Sequence, residues 1–439
     1  AAAAAAVAGT LLTLLKPEDQ RLYAKDGLAV CSLSWILLSL FGSLPLLLSG
    51  EYPSFIDAFF EITSGFTTTG ATVCPNVEAL SHSILFWRSL THLVGGMGVL
   101  IFALAILPGS GADTIHIAKA EAPGPNFSKI VAKLSHTARI LYLIYFAMTG
   151  ILFILLLLGK MPVFDALCHA FGTAGTGGFG IKNNSVAAYP SRYIQIVLAV
   201  AMLLFGINFN LYYLLLMKQV KDFFKSEELH WYLGIIASSV LLIFLQILPQ
   251  AASAGQGLTD AFFTVTSIIT TTGYSTADFD KWPLFSRGIL LLLMFIGASA
   301  GSTGGGLKVS RVVTMAKAAV LELRQKLSPN RVITLRFEGE ALSRRQVHSI
   351  LSYLGMYALI FTGATLILLL DVPNFSSGFS AVAATINNIG PGFDLVGPSG
   401  NFSSLSVLSK AVLSFCMIAG RLELWPVLIL FSPAFWKKA

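Results

Sequence analysis

The stretch DAFFTVTSIITTTG, residues 260–273, is the most informative about the fold, because its pattern occurs twice in the chain. The second occurrence, DAFFEITSGFTTTG at residues 57–70, is identical at ten of its fourteen positions. Both stretches place three threonines before a glycine, and neither contains a lysine or an arginine. Three consecutive threonines followed by a glycine are unfavourable in the interior of a helix and on a surface that faces lipid. We infer that the stretch is a unit that the fold uses repeatedly.

Two further stretches fit the same register, DALCHAFGTAGTGG at residues 165–178 and SGFSAVAATINNIG at residues 377–390. Their assignment rests on this register and on their place in the chain, because they share few residues with the first two. Each stretch begins with a residue that commonly caps helices, which predicts helix starts at Asp57, Asp165, Asp260 and Ser377. Each stretch ends in a glycine, namely Gly70, Gly178, Gly273 and Gly390.

The composition indicates a membrane protein. Of the 439 residues, 55% are hydrophobic and 12% are charged, which is about half the charged share of a soluble domain. Several apolar runs reach the roughly 20 residues that cross a bilayer. These runs cover residues 27–50, 84–108, 139–159, 193–217, 231–249, 284–300, 349–370 and 405–436. We therefore predict an all-α polytopic membrane protein.

Each of the four stretches lies between two apolar runs. Its dozen helical residues would span about 18 Å, roughly half a bilayer, which predicts a re-entrant pore helix. The loop that follows places backbone carbonyls at membrane depth, where they must be buried in protein or line a wet cavity. We predict four pseudosymmetric repeats, each with a membrane helix M1, a pore helix and a membrane helix M2, around a central pore. Their predicted bounds are residues 24–125, 126–226, 227–335 and 336–439, preceded by a remnant of N-terminal membrane helices at residues 1–23.

The distribution of charge predicts the orientation. The connections that carry the four stretches hold three basic and ten acidic residues, counted over residues 49–84, 160–191, 249–283 and 371–406. The segments on the opposite side hold twenty basic and eleven acidic residues, counted over residues 16–26, 109–138, 217–230, 308–347 and 437–438. Because basic segments remain in the cytoplasm, the four loops are predicted to face the periplasm. The same rule accounts for the net charge of +7 without nucleic-acid binding.

Four carbonyl-bearing loops around an axis are typical of a cation selectivity filter, in which carbonyl oxygens replace the hydration shell of the ion. Glycine permits positive φ angles, and threonine adds a hydroxyl as a ligand or as a brace behind the loop. Oxygen ligands without a fixed carboxylate favour an alkali ion over Ca²⁺ or Mg²⁺. A single TTTG is equally consistent with a simple helix-ending turn, but four in one register favour a filter. The predicted ion-binding residues are Thr68, Thr69, Gly70, Thr176, Gly177, Gly178, Thr271, Thr272, Gly273, Asn388, Ile389 and Gly390.

Other functional classes find little support in the residues. The four cysteines form no CxxC and the seven histidines have no metal-ligand spacing. The GTGGFG of residues 175–180 matches a dinucleotide-binding pattern, but no βαβ pattern surrounds it. An intramembrane enzyme would need clustered titratable groups, and the sequence offers no such cluster. We predict a chain that is not an enzyme and carries no cofactor.

A second glycine-rich segment suggests a gate. Residues 297–306, GASAGSTGGG, place five glycines inside an apolar run, and each glycine costs a helix about 1 kcal/mol. One interpretation is a close helix crossing through small residues. We favour an unwound loop that obstructs the passage, because the segment follows Gly273 at the depth of the other M2 helices. The predicted gate residues are Gly297, Gly301, Gly304, Gly305, Gly306, Lys308 and Arg421.

Arg421 lies at the same predicted depth, 31 residues after Gly390. An arginine inside a membrane run is costly and is a functional candidate by default. The alternative is that its side chain reaches the inner membrane surface. Glu423 is too close in sequence to face it on a helix. Arg88 and Arg287 are predicted to occupy solvated positions at outer helix ends.

The motifs together resemble the Trk/Ktr/HKT superfamily of potassium-uptake proteins, and within it the TrkH branch. The resemblance covers nearly the whole chain and rests on TTTGAT, GTGGFG, TTTGYST, NNIGPGF, GGMG, GASAGSTGGGLK and GRLE. It implies K⁺ as the transported ion, a location in the bacterial inner membrane and a homodimer in membrane lipid. It also implies a TrkA-like cytosolic nucleotide-binding ring as partner, and it places Arg421 beside the glycine-rich loop, as a hydrogen-bond donor or as an electrostatic barrier. A channel-like pore and a Na⁺- or H⁺-coupled symporter both remain open at this point.

Overall fold

The computed structural model describes residues 9–10, 24–98, 134–328 and 334–436, and these residues are predominantly helical. The predicted N-terminal remnant at residues 1–23 lies outside the described residues, apart from residues 9–10. In chain order the helices are α1 (Ala24–Leu48), α2 (Phe55–Phe66), α3 (His82–Gly96), α4 (Leu134–Leu158), α5 (Val163–Ala174), α6 (Arg192–Phe205), α7 (Phe209–Leu216), α8 (Val220–Lys225), α9 (Glu227–Ile247), α10 (Ala254–Ile269), α11 (Leu284–Ile296), α12 (Val309–Leu327), α13 (Arg344–Leu368), α14 (Phe375–Ile386), α15 (Val407–Arg421), α16 (Trp425–Ile429) and α17 (Pro433–Trp436). Strands β1 (Arg336–Phe337) and β2 (Glu340–Ala341) form an antiparallel hairpin before α13.

The helices follow one order four times: a long helix, a short helix and a further helix. The long helices are α1, α4, α9 and α13, and each contains a stretch apolar and long enough to cross a membrane. The short helices α2, α5, α10 and α14 contain 12, 12, 16 and 12 residues. Three of them have the predicted dozen residues, and α10 is longer because it begins at Ala254. The all-α repeated fold predicted from the sequence is confirmed.

The short helices are the most enclosed elements of the fold. In α10 and α14 most residues are buried, whereas the long helices turn leucines outward. Leu143 on α4 and Leu359 on α13 are each 69% exposed. Large apolar side chains exposed on the long helices, together with enclosed short helices, are typical of a protein that is surrounded by lipid.

The four units form a closed circle through contacts between neighbours. Each short helix packs against the third helix of the preceding unit, in the pairs α3 with α5, α6 with α10, and α11 with α14. The third helix of the last unit, α15, packs against α2 of the first unit and completes the circle. This cyclic packing brings the ends of the four short helices together.

The predicted helix starts at Asp57, Asp165, Asp260 and Ser377 are wrong, because all four residues lie inside the short helices. The residues that precede the helices are Ser54, Pro162, Ser253 and Asn374. The carboxylates make other contacts: Asp165 accepts a hydrogen bond from the Tyr189 hydroxyl at 2.7 Å, and Asp260 accepts one from Thr276 at 2.9 Å. These side chains therefore tie the short helices to the segments that follow them.

Among the described residues, the third helices of the second, third and fourth units are each interrupted. Helices α6 and α7 meet at a bend of 88°, and α15 ends at Arg421 before α16 begins. The longest interruption lies between α11 and α12, as the five glycines of residues 297–306 predict. The sequence did not predict the bend between α6 and α7, because a single Gly206 is a much weaker signal than a run of glycines.

Candidate functional site

All four short helices end in the same backbone motif. In α2, Thr68 N donates to Gly65 O at 3.1 Å and Thr69 N donates to Ser64 O at 2.8 Å. This pair of bonds is the Schellman motif, whose left-handed position is usually glycine. Here that position holds Thr68, Thr176, Thr271 and Asn388, with φ angles of 55°, 54°, 60° and 55°. The four sequences thus end their helices identically although they share few residues.

Two residues after this position the backbone is left-handed again. The four terminal glycines Gly70, Gly178, Gly273 and Gly390 have φ angles of 79°, 72°, 85° and 100°. The residue between has a negative φ in every copy, so the sign of φ alternates along three positions. The three positions therefore do not form a regular β-strand, in which every φ is negative.

The four loop ends meet in a ring that we call the loop ring, formed by residues 68–70, 176–178, 271–273 and 388–390. A Cβ placed on Gly70 would collide with Gly177 O, and one on Gly178 would collide with Thr272 O. A Cβ on Gly273 would collide with Ile389 O, and one on Gly390 would lie 2.7 Å from Thr69 O. Each glycine thus contacts a backbone carbonyl of the next loop, and the fourth loop returns to the first.

Threonine hydroxyls brace the first and third loops from behind. Thr67 Oγ1 donates to Thr63 O at 2.6 Å and lies 2.8 Å from Thr69 Oγ1. The third loop repeats both distances with Thr270, Thr266 and Thr272. Because these hydroxyls bond to the chain itself, the threonines at these positions support the loop from within.

The fourth loop uses asparagine to join the first. Asn388 Nδ2 donates to Thr69 Oγ1 at 3.0 Å and to Met417 O at 2.9 Å. The preceding Asn387 accepts a hydrogen bond from the Tyr357 hydroxyl at 3.0 Å. The two asparagines therefore replace the threonine brace and close the circle between the last and first repeats.

Arg88 is a supporting residue that the sequence analysis misplaced. The prediction of a solvated position is wrong: Arg88 is 1% exposed and pairs with the fully buried Glu61 at 2.8 Å. Glu61 also accepts the Val73 N–H at 2.9 Å and the Thr72 hydroxyl at 2.8 Å. The buried pair thereby fixes the chain that leaves the first loop. A buried charge needs such a partner. Glu61 and Arg88 are each the single charge in an apolar stretch of the sequence, and this was the signal from which their pairing could have been predicted.

His92 lies one turn beyond Arg88 on α3 and joins the first two loops. Its Nδ1 lies 2.8 Å from Gly65 O, and its Nε2 accepts the Phe179 N–H at 3.2 Å. Arg88 reaches the same segment, since its guanidinium lies 4.1 Å from the centre of the Phe179 ring. Two side chains on one face of α3 thus hold the first and second loops in register.

A cavity of about 400 Å³ lies on one side of the loop ring. Its lining includes all four terminal glycines and the segments that follow them. Asp278 contributes to this lining, while Asp280 accepts the Asp394 N–H at 2.8 Å and pairs with Arg287. Burial raises the pKa of the Asp280 carboxyl. Arg287, which was predicted to be solvated, is 25% exposed and links the third and fourth repeats through Asp280 and Asp394.

The glycine-rich loop, residues 297–306, lies on the other side of the loop ring. Gly305 N donates to Thr271 Oγ1 at 2.6 Å, and Gly304 packs against Thr270 O. The backbone of Gly305 also contacts Asn387 O. Three predicted gate glycines have left-handed backbones, Gly297, Gly301 and Gly306, with φ angles of 73°, 71° and 78°. The predicted gate loop is therefore in direct contact with the third and fourth loop ends.

Arg421 connects three repeats beneath the loop ring. Its Nη1 donates to Thr303 O at 2.7 Å and to Thr68 Oγ1 at 3.2 Å. Its Nη2 donates to Gly95 O at 2.5 Å and to Gly96 O at 2.6 Å. The side chain thus reaches into the protein, which excludes the alternative that it extends to the inner membrane surface.

Two further charges stand beside Arg421. Lys308 Nζ donates to Gly304 O within the glycine-rich segment. Glu423 forms its ion pair with Arg311 on α12, as expected from its inability to face Arg421 on a helix. The sequence analysis missed Arg311, because its partner lies more than a hundred residues away in the chain.

The comparisons with known proteins identify the family. The sequence profile of the TrkH family, described as a cation transport protein, matches residues 1–438. The chain belongs to the TrkH family of cation transport proteins. It is 36% identical over 430 residues to the Trk system potassium uptake protein TrkH of Salmonella typhimurium, with 96% of this chain and 88% of that protein covered. It is 35% identical over 429 residues to the protein of the same name from Escherichia coli K12, with the same coverage.

A solved structure supports the same assignment. The crystal structure of the potassium transporter TrkH from Vibrio parahaemolyticus matches with a TM-score of 0.85 at 34% identity, covering 96% of this chain and 88% of that chain. The resemblance drawn from the motifs is therefore confirmed. As a member of the TrkH family, the chain is a membrane transport protein and not an enzyme.

Proposed function

We propose that this chain mediates potassium uptake across the bacterial inner membrane and that the loop ring is its selectivity filter. The observation that carries the proposal is the closed contact of four left-handed glycines with the carbonyls of neighbouring loops. The relatives are named as potassium uptake proteins, which supports K⁺ as the ion. The three predicted residues of each loop end provide the carbonyls, and the C-terminal ends of four helices favour a cation.

The driving force is the membrane potential, which supplies about 2.3 kcal/mol per charge for every 100 mV. The acidic connections face the periplasm in this proposal, and the cavity above the loop ring is the outer vestibule. The four repeats keep the predicted bounds of residues 24–125, 126–226, 227–335 and 336–439. The basic segment from Lys308 to Arg345 faces the cytoplasm and provides the contact for a TrkA-like ring, while two copies of the chain form a homodimer in the lipid.

The test of this function is K⁺ flux through the purified protein in liposomes. We expect flux that follows an imposed membrane potential in the absence of any Na⁺ or pH gradient, since a filter needs no coupling ion. Empty liposomes and liposomes with heat-unfolded protein are the controls. Flux that requires a Na⁺ or proton gradient would favour the symporter, and the absence of K⁺ flux would refute the function.

We also propose that the glycine-rich loop is a gate beneath the filter. Its backbone packs directly against the third and fourth loop ends, through Thr270, Thr271 and Asn387. Arg421 and Lys308 each donate a hydrogen bond to a carbonyl of this loop. A cation that must leave the filter in this direction meets both the loop and two fixed positive charges. The gate therefore opens when the loop moves away from the ring.

Replacing Arg421 with alanine should increase K⁺ flux by about tenfold, because the loop loses a charge-assisted hydrogen bond at Thr303 O and the path loses a positive charge. Flux and melting temperature are measured on one preparation. Arg287→Ala is the matched control, since it removes an arginine that pairs with Asp280 and Asp394 away from the loop. The control should lower the melting temperature without raising flux, and the same behaviour in Arg421→Ala would show that Arg421 is only an anchor.

A further inference from the structure

Glu228 is a buried carboxylate on the first turn of α9, and it contacts the glycine-rich loop of the same repeat. It is 5% exposed. Its Oε1 accepts the Ala300 N–H at 2.8 Å and the Ser310 N–H at 3.2 Å. Ala300 belongs to the glycine-rich loop, and Ser310 lies just after the loop in the first turn of α12. One oxygen atom therefore joins the interior of the glycine-rich loop to the first turn of the helix that follows it.

The helix that follows the loop needs this acceptor. The first N–H groups of an α-helix have no partner within the helix, and the preceding residue normally accepts one of them through its side chain. The residue before α12 is Lys308, which makes no such bond because an ammonium group has no acceptor. Glu228 supplies the missing acceptor from α9, and its negative charge is favourable at a helix N-terminus.

The position of Glu228 is itself fixed by the hairpin of β1 and β2. Glu338, in the turn of that hairpin, accepts the Glu228 N–H at 2.8 Å and the Glu227 N–H at 3.2 Å. It also accepts the Ser226 hydroxyl at 2.8 Å. The first turn of α9 is thus clamped, so that the carboxylate beneath the glycine-rich loop has a defined place.

We infer that Glu228 is a positioning residue that holds the glycine-rich loop against the loop ring through the two hydrogen bonds at its Oε1. The inference rests on the proposed function, in which this loop obstructs the ion path. When the loop moves, the Ala300 and Ser310 N–H groups must leave Glu228 together. Loss of the acceptor therefore weakens the obstructing arrangement and leaves the filter untouched.

The test compares two substitutions of Glu228 in the liposome flux assay. Glu228→Leu keeps much of the side-chain volume and removes the acceptor, and it should raise K⁺ flux roughly tenfold, as the loss of charge-assisted hydrogen bonds predicts. Glu228→Gln retains one carbonyl oxygen that can accept both N–H groups, and it should stay within about twofold of the unsubstituted protein, since a neutral acceptor is weaker but still present. Glu228→Ala should behave as Glu228→Leu and serves as a second measurement where the leucine variant does not fold.

Glu322→Ala is the matched control, because Glu322 is an exposed carboxylate on α12 whose pair with Lys326 lies within the same helix. It should leave flux unchanged. Flux of the folded leucine and alanine variants equal to that of the unsubstituted protein would overturn the inference. So would a rise in Glu228→Gln as large as in Glu228→Leu, since charge rather than hydrogen bonding would then be responsible.

A variant with residues 304–306 deleted separates this inference from the proposed function. If the deletion raises flux and Glu228→Leu does not, the gate stands and the role of Glu228 fails. If neither raises flux while the unsubstituted protein conducts K⁺, the gate itself fails and the inference fails with it. In the deletion background Glu228→Leu should add no further increase, because the segment that it positions no longer obstructs the path.

Discussion

Gly70→Ser and Gly273→Ser should each reduce K⁺ flux to near the background of empty liposomes, or remove the preference for K⁺ over Na⁺. A Cβ at Gly70 collides with Gly177 O, and one at Gly273 collides with Ile389 O. The φ angles of 79° at Gly70 and 85° at Gly273 already strain any residue that carries a Cβ, and a steric obstacle adds to this strain. The obstacle is the carbonyl of the next loop, which must rotate or retreat and so leaves the position from which it would coordinate the ion.

The control for these substitutions is Gly150→Ser on α4, where a Cβ meets no atom within 4 Å. It adds the same side chain to the same type of residue and should leave flux and the K⁺/Na⁺ ratio unchanged. The measurements are K⁺ flux, Na⁺ flux and melting temperature on the same preparations. Unaltered flux and selectivity in both folded filter variants would be incompatible with a filter at the loop ring.

Deleting residues 304–306 should increase K⁺ flux through the protein in liposomes by more than the single substitutions do. The deletion removes the backbone that packs against Thr270 O and Asn387 O and the N–H that bonds Thr271. It also removes the Gly304 carbonyl that holds the Lys308 ammonium group beneath the loop ring. These contacts hold the loop across the proposed ion path. A loop that is three residues shorter should no longer obstruct that path.

If the proposal is right, the additional K⁺ ions must pass through the loop ring. Adding Gly273→Ser to the deletion variant should therefore abolish the increase, whereas adding Gly150→Ser should not. Melting temperatures establish that each variant is folded. Slower or unchanged flux in a folded deletion variant would contradict a gating role for residues 297–306. Flux that persists in the deletion variant with Gly273→Ser would place the path elsewhere.

Much of the site follows from local patterns. The shared register of four stretches locates the terminal glycines, and the run of five glycines locates the longest break in an M2 helix. Both signals are local, since they depend on what a few consecutive residues can adopt. The helix starts were harder to predict, because the residues that precede the four short helices lie outside the repeated stretches. Pro162 and Asn374 share no side-chain chemistry, yet each precedes a short helix.

The residues that support the loops could not be predicted from local sequence patterns. Arg88 contacts Gly180 O, 92 residues further along the chain, at 3.3 Å. Arg421 contacts Thr68 across 353 residues, and Glu228 contacts Ala300 across 72. Composition and spacing indicate only that a buried charge needs a partner. Which partner it finds depends on how the four units pack around their common centre.

The amino-acid sequence was sufficient to show that this chain is an all-α membrane protein of four related units, and to locate the residues of the loop ring and of the glycine-rich loop. These properties depend on hydropathy and on the backbone freedom of glycine, which each short segment carries with it. The tertiary structure was needed to show that each of the four glycines contacts a backbone carbonyl of the next loop in a closed ring. It was also needed to show that Glu61, His92 and Glu228 hold the loops in place. Such contacts arise from the cyclic packing of helices, because buried polar groups take the partners that this packing brings within hydrogen-bonding distance.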